Sequence, residues 1–129
     1  MSLLPEIVRY ALAVSAHELA HRLVNGTEPR APLFEHTLRT TQALLTEASG
    51  DHASAADLYG DAARRWHEFE NAPERAYALL GYGRCLLALK RPIAGATLRE
   101  ARDQFASIGY KLALTETDTL IAETSSGLA

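Results

Sequence analysis

Two stretches of the chain carry the same apolar signature, 39 positions apart. Ala55, Tyr59, Ala62, Trp66 and Phe69 recur as Ala94, Leu98, Ala101, Phe105 and Ile108. The steps of 4, 3, 4 and 3 hold all five residues on one face of an α-helix. A small residue, a bulky one and a small one again let a neighbouring helix approach at two points and close around the knob between them. Repetition at a period of about 40 residues reads as stacked helical hairpins. Composition agrees. Ala occurs 23 times and Leu 20, a third of the 129 residues, whereas Val and Ile together occur only 7 times. Strong helix formers dominate and few β-branched residues remain to build strands, so the fold class is all-α.

The length suits one domain spanning residues 1–129, and its punctuation divides it into hairpins. Pro5 sits in the first turn of a helix running to about Val14, Ser15-Ala16 marks a turn, and a short helix ends at Asn25-Gly26. Thr27 to Pro32 is a loop. A helix from about Leu33 to Ser49 stops at Gly50, and Asp51 caps the next, which carries the first signature through Phe69. Asn71 and Glu74 have capping-box spacing with Pro73 in the first turn, which predicts a helix from about Ala72 to Lys90. Pro92 opens the helix bearing the second signature, which stops at Gly109, and a last helix covers about 111–123. The expected order is therefore three hairpins, about 4–25, 33–69 and 72–108, plus a terminal helix. The first is a weaker copy: Ala20 and Val24 match Ala55 and Tyr59, but Thr27 stands where the next small residue belongs. An end repeat whose outer face meets water is expected to degrade in this way.

Charge is balanced, with Lys+Arg 13 against Asp+Glu 16 and a net −3. No block of five like charges is present, so neither a nucleic-acid-binding arm nor an acidic tail is indicated. Cys85 is the one cysteine, which rules out an internal disulfide and fits a reducing compartment. Its neighbours Leu86 and Leu87 suggest a packed thiol. No apolar run approaches a membrane span and no signal-peptide pattern precedes the first helix, so a cytoplasmic location and no membrane partner are expected.

Gly50-Asp51 followed by Ala55-x3-Tyr59-x2-Ala62 resembles the second half of the tetratricopeptide repeat, while the first-half signature is poorly kept. Over Leu4 to about Ile121 the chain is similar to the C-terminal helical repeats of large bacterial ATP-binding signalling regulators and nucleotide cyclases. The strings that carry this likeness are Glu74-Arg75-Ala76-Tyr77-Ala78-Leu79-Leu80-Gly81 with Gly83-Arg84-Cys85-Leu86-Leu87-Ala88-Leu89, and Leu98-Arg99-Glu100-Ala101-Arg102 with Phe105 and Gly109. The resemblance implies an α-solenoid of about three tetratricopeptide-like hairpins acting as a regulatory or partner-binding surface. It transfers no catalytic residue, and the phosphate loop G-x4-G-K-[ST] is absent from the sequence. In such arrays the first helix of each hairpin lines a concave groove. Arg39, Thr40, Arg75, Tyr82 and Arg84 are the candidates to contact a protein or peptide there, being rich in the Arg and Tyr of binding hot spots. Three arginines favour an acidic or carboxylate-ended segment. Thinly capped ends also predict self-association, through an end of the stack or through the groove.

Chemistry has one motif to offer. His17-Glu18-Leu19-Ala20-His21 is an H-E-x-x-H segment, whose histidines share a helix face and could grip zinc with Glu18 as general base. Val24 and Thr27 stand where the extended motif needs Gly and His, and no third ligand is placed by pattern. The pair is a weak metal candidate beside the plainer reading of a solvated flank. Gly81-x-Gly83 lies mid-helix, where a close helix approach explains it better than a phosphate loop. The reading is thus a non-enzymatic interaction module without a cofactor. A small-molecule sensor with a pocket between hairpins is the alternative, and a zinc hydrolase a remote one.

Overall fold

The computed structural model describes residues 31–126, and over these the chain forms five helices and no strand. They are α1 (Ala31–Ala48), α2 (His52–Glu68), α3 (Ala72–Ala88), α4 (Ala94–Ile108) and α5 (Lys111–Ser126). The expected hairpin at 4–25 lies outside the described residues. Local chemistry sets the helix ends. The Asp51 carboxylate accepts from the Ser54 N–H at 3.1 Å, and the Asn71 side-chain oxygen accepts from the Glu74 N–H at 3.1 Å. Each satisfies an amide that the helix itself leaves bare. The chain turns out of each of the first four helices through a left-handed residue: Gly50 (φ 94°), Glu70 (φ 59°), Lys90 (φ 56°) and Gly109 (φ 79°). Lys90, read from sequence as the end of its helix, is the stop beyond it, and α4 begins at Ala94, past Pro92.

Each helix packs antiparallel on the next, while α1 with α3 and α3 with α5 touch only slightly. The second helices, α2 and α4, do not meet. Antiparallel neighbours leave α1, α3 and α5 pointing the same way on one side of the molecule. Tyr77 of α3 lies beside Tyr110 before α5, and Arg84 lies further along beside Glu116.

Both copies of the signature are inside. Ala55, Tyr59, Ala62 and Trp66 are buried, as are Ala94, Leu98, Ala101 and Phe105, while Phe69 and Ile108 pack half-buried against the core. The two knobs converge on α3 from opposite sides. A Cβ built on Gly81 would overlap the Tyr59 ring, and one built on Gly83 would overlap the Leu98 side chain. The glycines are holes that admit the equivalent bulky residue of α2 and α4. Their lost helix propensity, about 1 kcal/mol each, is the cost of that approach. Trp66 fills the α1–α2 seam, and its indole N–H donates to the Thr40 hydroxyl at 2.8 Å. On α5, buried Thr117 satisfies its hydroxyl on the Ala113 carbonyl at 2.7 Å, so a polar residue enters the core at little cost. No described helix is long and apolar enough to cross a membrane.

Candidate interaction site

The polar centre of the α1–α3–α5 side is built around Arg84. Its Nε donates to Glu47 Oε2 at 2.8 Å and its Nη2 to Glu47 Oε1 at 2.9 Å, a two-pronged pair between α3 and α1. Tyr59 of α2 donates its hydroxyl to the same Glu47 Oε1 at 2.5 Å and stands 3.4 Å from Arg84 Nη2. On the other flank Arg84 Nη1 is 3.5 Å from Glu116 of α5. One guanidinium therefore ties four helices. The Glu47 side chain is 5% exposed, and its arginine partner is mostly covered. Burial opposes the Arg84 charge, but the bonds to Glu47 outweigh it and hold the guanidinium protonated above its usual range. Burial raises the Tyr59 phenol well above its ordinary value, with the adjacent Glu47 carboxylate adding to the shift against the opposing pull of Arg84. Cys85 beside this network is buried, and its thiol is pushed up to about 12, first by burial and then by Glu47. A thiol held neutral in this way is a packing group, not a nucleophile.

The five residues chosen from sequence do not form one surface. Thr40 is buried, accepting from Trp66 and donating to the His36 carbonyl at 3.0 Å, so its hydroxyl serves the α1–α2 seam. Arg75 pairs with Glu100 of α4 at 2.5 Å. Arg39 stands 4.0 Å from Asp61, which Arg64 and Arg65 also hold at 2.5 and 2.8 Å. The hydrogen bonds from Arg65 and Arg64 outweigh the effect of burial on Asp61 and keep its carboxyl below the usual range. Tyr82 packs toward Gly60 of α2, and two positions away, about 200° round the helix, Arg84 points elsewhere. Each arginine of the set already faces a carboxylate of its own fold.

The same side also exposes large apolar side chains. Tyr77 is 45% exposed, Tyr110 40% and Leu112 89%. The Tyr77 and Tyr110 rings lie 6.2 Å apart, and both meet Phe105, edge-on at 5.0 Å and stacked at 6.4 Å. Leu112 is one turn ahead of Glu116 on α5, so it lines the flank that faces Arg84 of α3. Sequence reasoning missed this patch. Its signal was a leucine off the α5 core stripe of Ala113, Thr117, Leu120 and Ile121.

A cleft of about 300 Å³ opens separately at the α2–α3 turn, lined by Trp66, His67, Glu70, Asn71, Arg75 and Gln104 among others. Among the described residues no three His, Cys, Asp or Glu side chains are grouped to hold a metal ion. His17 and His21 lie outside the described residues. No family model matches the chain, and no curated protein or solved structure matches it either.

Proposed function

We propose that the chain is a tetratricopeptide-like α-solenoid serving as a non-catalytic interaction or regulatory module, cytoplasmic, that docks a peptide or a neighbouring domain on its α1–α3–α5 side. The observation that carries this reading is the exposure of the neighbouring Tyr77 and Tyr110 rings, and of Leu112 on the α5 flank, on helices whose backbones are locked by buried knobs and by the Arg84 network. Large apolar side chains held at a surface by a rigid frame lose little entropy when a partner covers them. Parallel first helices and the repeated 39-residue seam support the solenoid part. The arginine-led acidic groove gives way to an apolar anchor, because Arg39, Arg75 and Arg84 each face an internal carboxylate.

Selection of displayed random peptides on the folded chain tests it. Binders are expected to carry an aromatic or aliphatic anchor and to be lost in Leu112→Asp, a change at a surface position that leaves the melt intact. Binders indifferent to Leu112→Asp and to Tyr110→Ala would show that the docking face lies elsewhere. The cleft at the α2–α3 turn favours a second reading, a small-molecule sensor, since Arg75, Gln104, Asn71 and Glu70 bring donors and acceptors to a cavity at the lower end of ligand-site volumes. A metabolite that raises the melting temperature, with the effect lost in Gln104→Ala, would select that reading.

A further inference from the structure

The two ends of the described stack are not alike. α1 and α3 give way to left-handed residues 40 positions apart, Gly50 and Lys90, and are equivalent helices in that register. Ala43 then falls on Gly83, and each meets the knob of the helix that follows: Ala43 lies in one cluster with Tyr59, and Gly83 admits Leu98. The opposite flank of α3 is the one that α2 covers. There Gly81 takes the Tyr59 ring, and Cys85 packs among Ala55, Ala56 and Tyr59. The same register carries Ala78, Gly81 and Cys85 onto Leu38, Thr41 and Leu45 of α1, steps of 3 and 4 that keep one helix face. Ala78 and Cys85 are 0% exposed, whereas Leu38 is 45% exposed and Leu45 49%. At the other end, Glu70 and Gly109 set α5 against α3 at 39 positions, and Leu80 and Gly83, which pack with Leu98, become Thr119 and Ala122, both exposed. That end is finished in small and polar residues, while the α1 end shows the leucines of an open seam.

We infer that this face of α1 is covered by the chain's own residues 4–25, seated on Leu38 and Leu45 as α2 is seated on α3. The described helices begin with α1 at Ala31, so the segment leads straight into the helix it is to cover, as α2 leads into α3. α2 and its turn into α3 take residues 52–71, and residues 1–30 exceed that length. Leu19, Ala20, Leu23 and Val24 supply an apolar stripe at helical spacing. Thr41 fills the place that Gly81 leaves empty, so the occupant must bring a small residue there in place of a ring. Ala16 and Ala20 answer that need, and residues 11–30 contain no Phe, Tyr or Trp. The inference rests on the repeat register of the proposed solenoid and not on where its partner docks.

Thiol labelling and cross-linking of the full chain test it. Leu38→Cys, Leu45→Cys and Leu112→Cys are reacted in turn with a maleimide, against the constant background of buried Cys85. Position 112, at 89% exposure, sets the free rate. Positions 38 and 45 are expected to react more than about tenfold slower, being reached only through local opening of the segment above them. Two positions are used so that a variant that fails to fold leaves the other to decide. A benzophenone side chain placed at position 38 or 45 then identifies the occupant, and the expected adduct lies within one chain, on a fragment from residues 4–25. Labelling at 38 and 45 as fast as at 112 overturns the inference, as does an adduct that joins two chains or maps only to residues 31–126. Each of those results leaves the docking reading standing, because Tyr77, Tyr110 and Leu112 lie outside α1. Slow labelling with the intrachain adduct, but no peptide binders, would sink the docking reading alone.

Discussion

Gly81→Ala is a sharp test of the packing, because two well-known effects pull it in opposite directions. In an unpacked helix the change stabilises by about 1 kcal/mol, the propensity gap between Gly and Ala. Here the added methyl would overlap the Tyr59 ring, and the ring has little room to retreat. It is 1% exposed, and its hydroxyl is bonded to Glu47 at 2.5 Å. Overpacking of a dense core costs about 1–3 kcal/mol, and a ring pinned at its far end places this case at the upper limit. Taking about 3 against about 1 leaves a net loss of about 2 kcal/mol, or roughly 8 °C at about 4 °C per kcal/mol for a chain of this size. Gly60→Ala is the internal control. Its new methyl would lie 3.5 Å from the Tyr82 ring, ordinary contact, so the propensity gain should survive and the melt should rise. Calorimetric melts of the two variants beside the parent decide the matter. If Gly81→Ala melts at or above the parent, Tyr59 is not seated against that helix and the knob-and-hole account is wrong.

Glu47→Gln keeps the side-chain shape but removes the charge that Arg84 and Tyr59 converge on, and breaking such a buried pair should cost about 3 kcal/mol in urea unfolding. The triple change Glu47→Leu, Arg84→Met, Tyr59→Phe removes every partner together and should recover most of that loss; a triple variant weaker than the single one would contradict the desolvation argument. Lys90→Gly should raise stability by up to about 1 kcal/mol, since Lys90 holds a left-handed φ of 56° that glycine adopts without strain. A lowered melt for Lys90→Gly would refute it. His36 packs edge-on against Trp66 at 5.4 Å and Phe69 at 5.3 Å, and burial, then Arg65, holds its pKa below the ordinary 6.5 against the opposing pull of Glu35, Glu68 and Asp61. Above about pH 6.5 both folded and unfolded forms are neutral and nothing is lost; as pH falls below that value the unfolded chain takes the proton first and stability declines until the folded pKa is passed. Urea midpoints should therefore fall less steeply with acid in His36→Phe than in the parent, and parallel slopes would remove His36 from the account.

The helices and their seams were legible from sequence because both are one-dimensional signals. A stripe at helical spacing says which face is buried, and Asp51, Asn71 and Gly109 say where rods begin and end. Even the Gly81-x-Gly83 holes followed, since two glycines inside a leucine-rich helix have few uses besides close approach. Side-chain partners across the fold were not legible. Arg75 and Arg84 look like free cations in the string; only the fold brings Glu100 and Glu47 against them, 25 and 37 positions away. Glu47 itself gave a faint signal, a carboxylate four positions after buried Ala43 on the inner face of α1. A carboxylate placed there must find a cation or remain protonated, and Arg84 is the cation that meets it. The same logic explains why the exposed patch appears only in three dimensions. Tyr77 and Tyr110 are 33 positions apart in the chain and become neighbours because α3 and α5 run parallel across the helix between them.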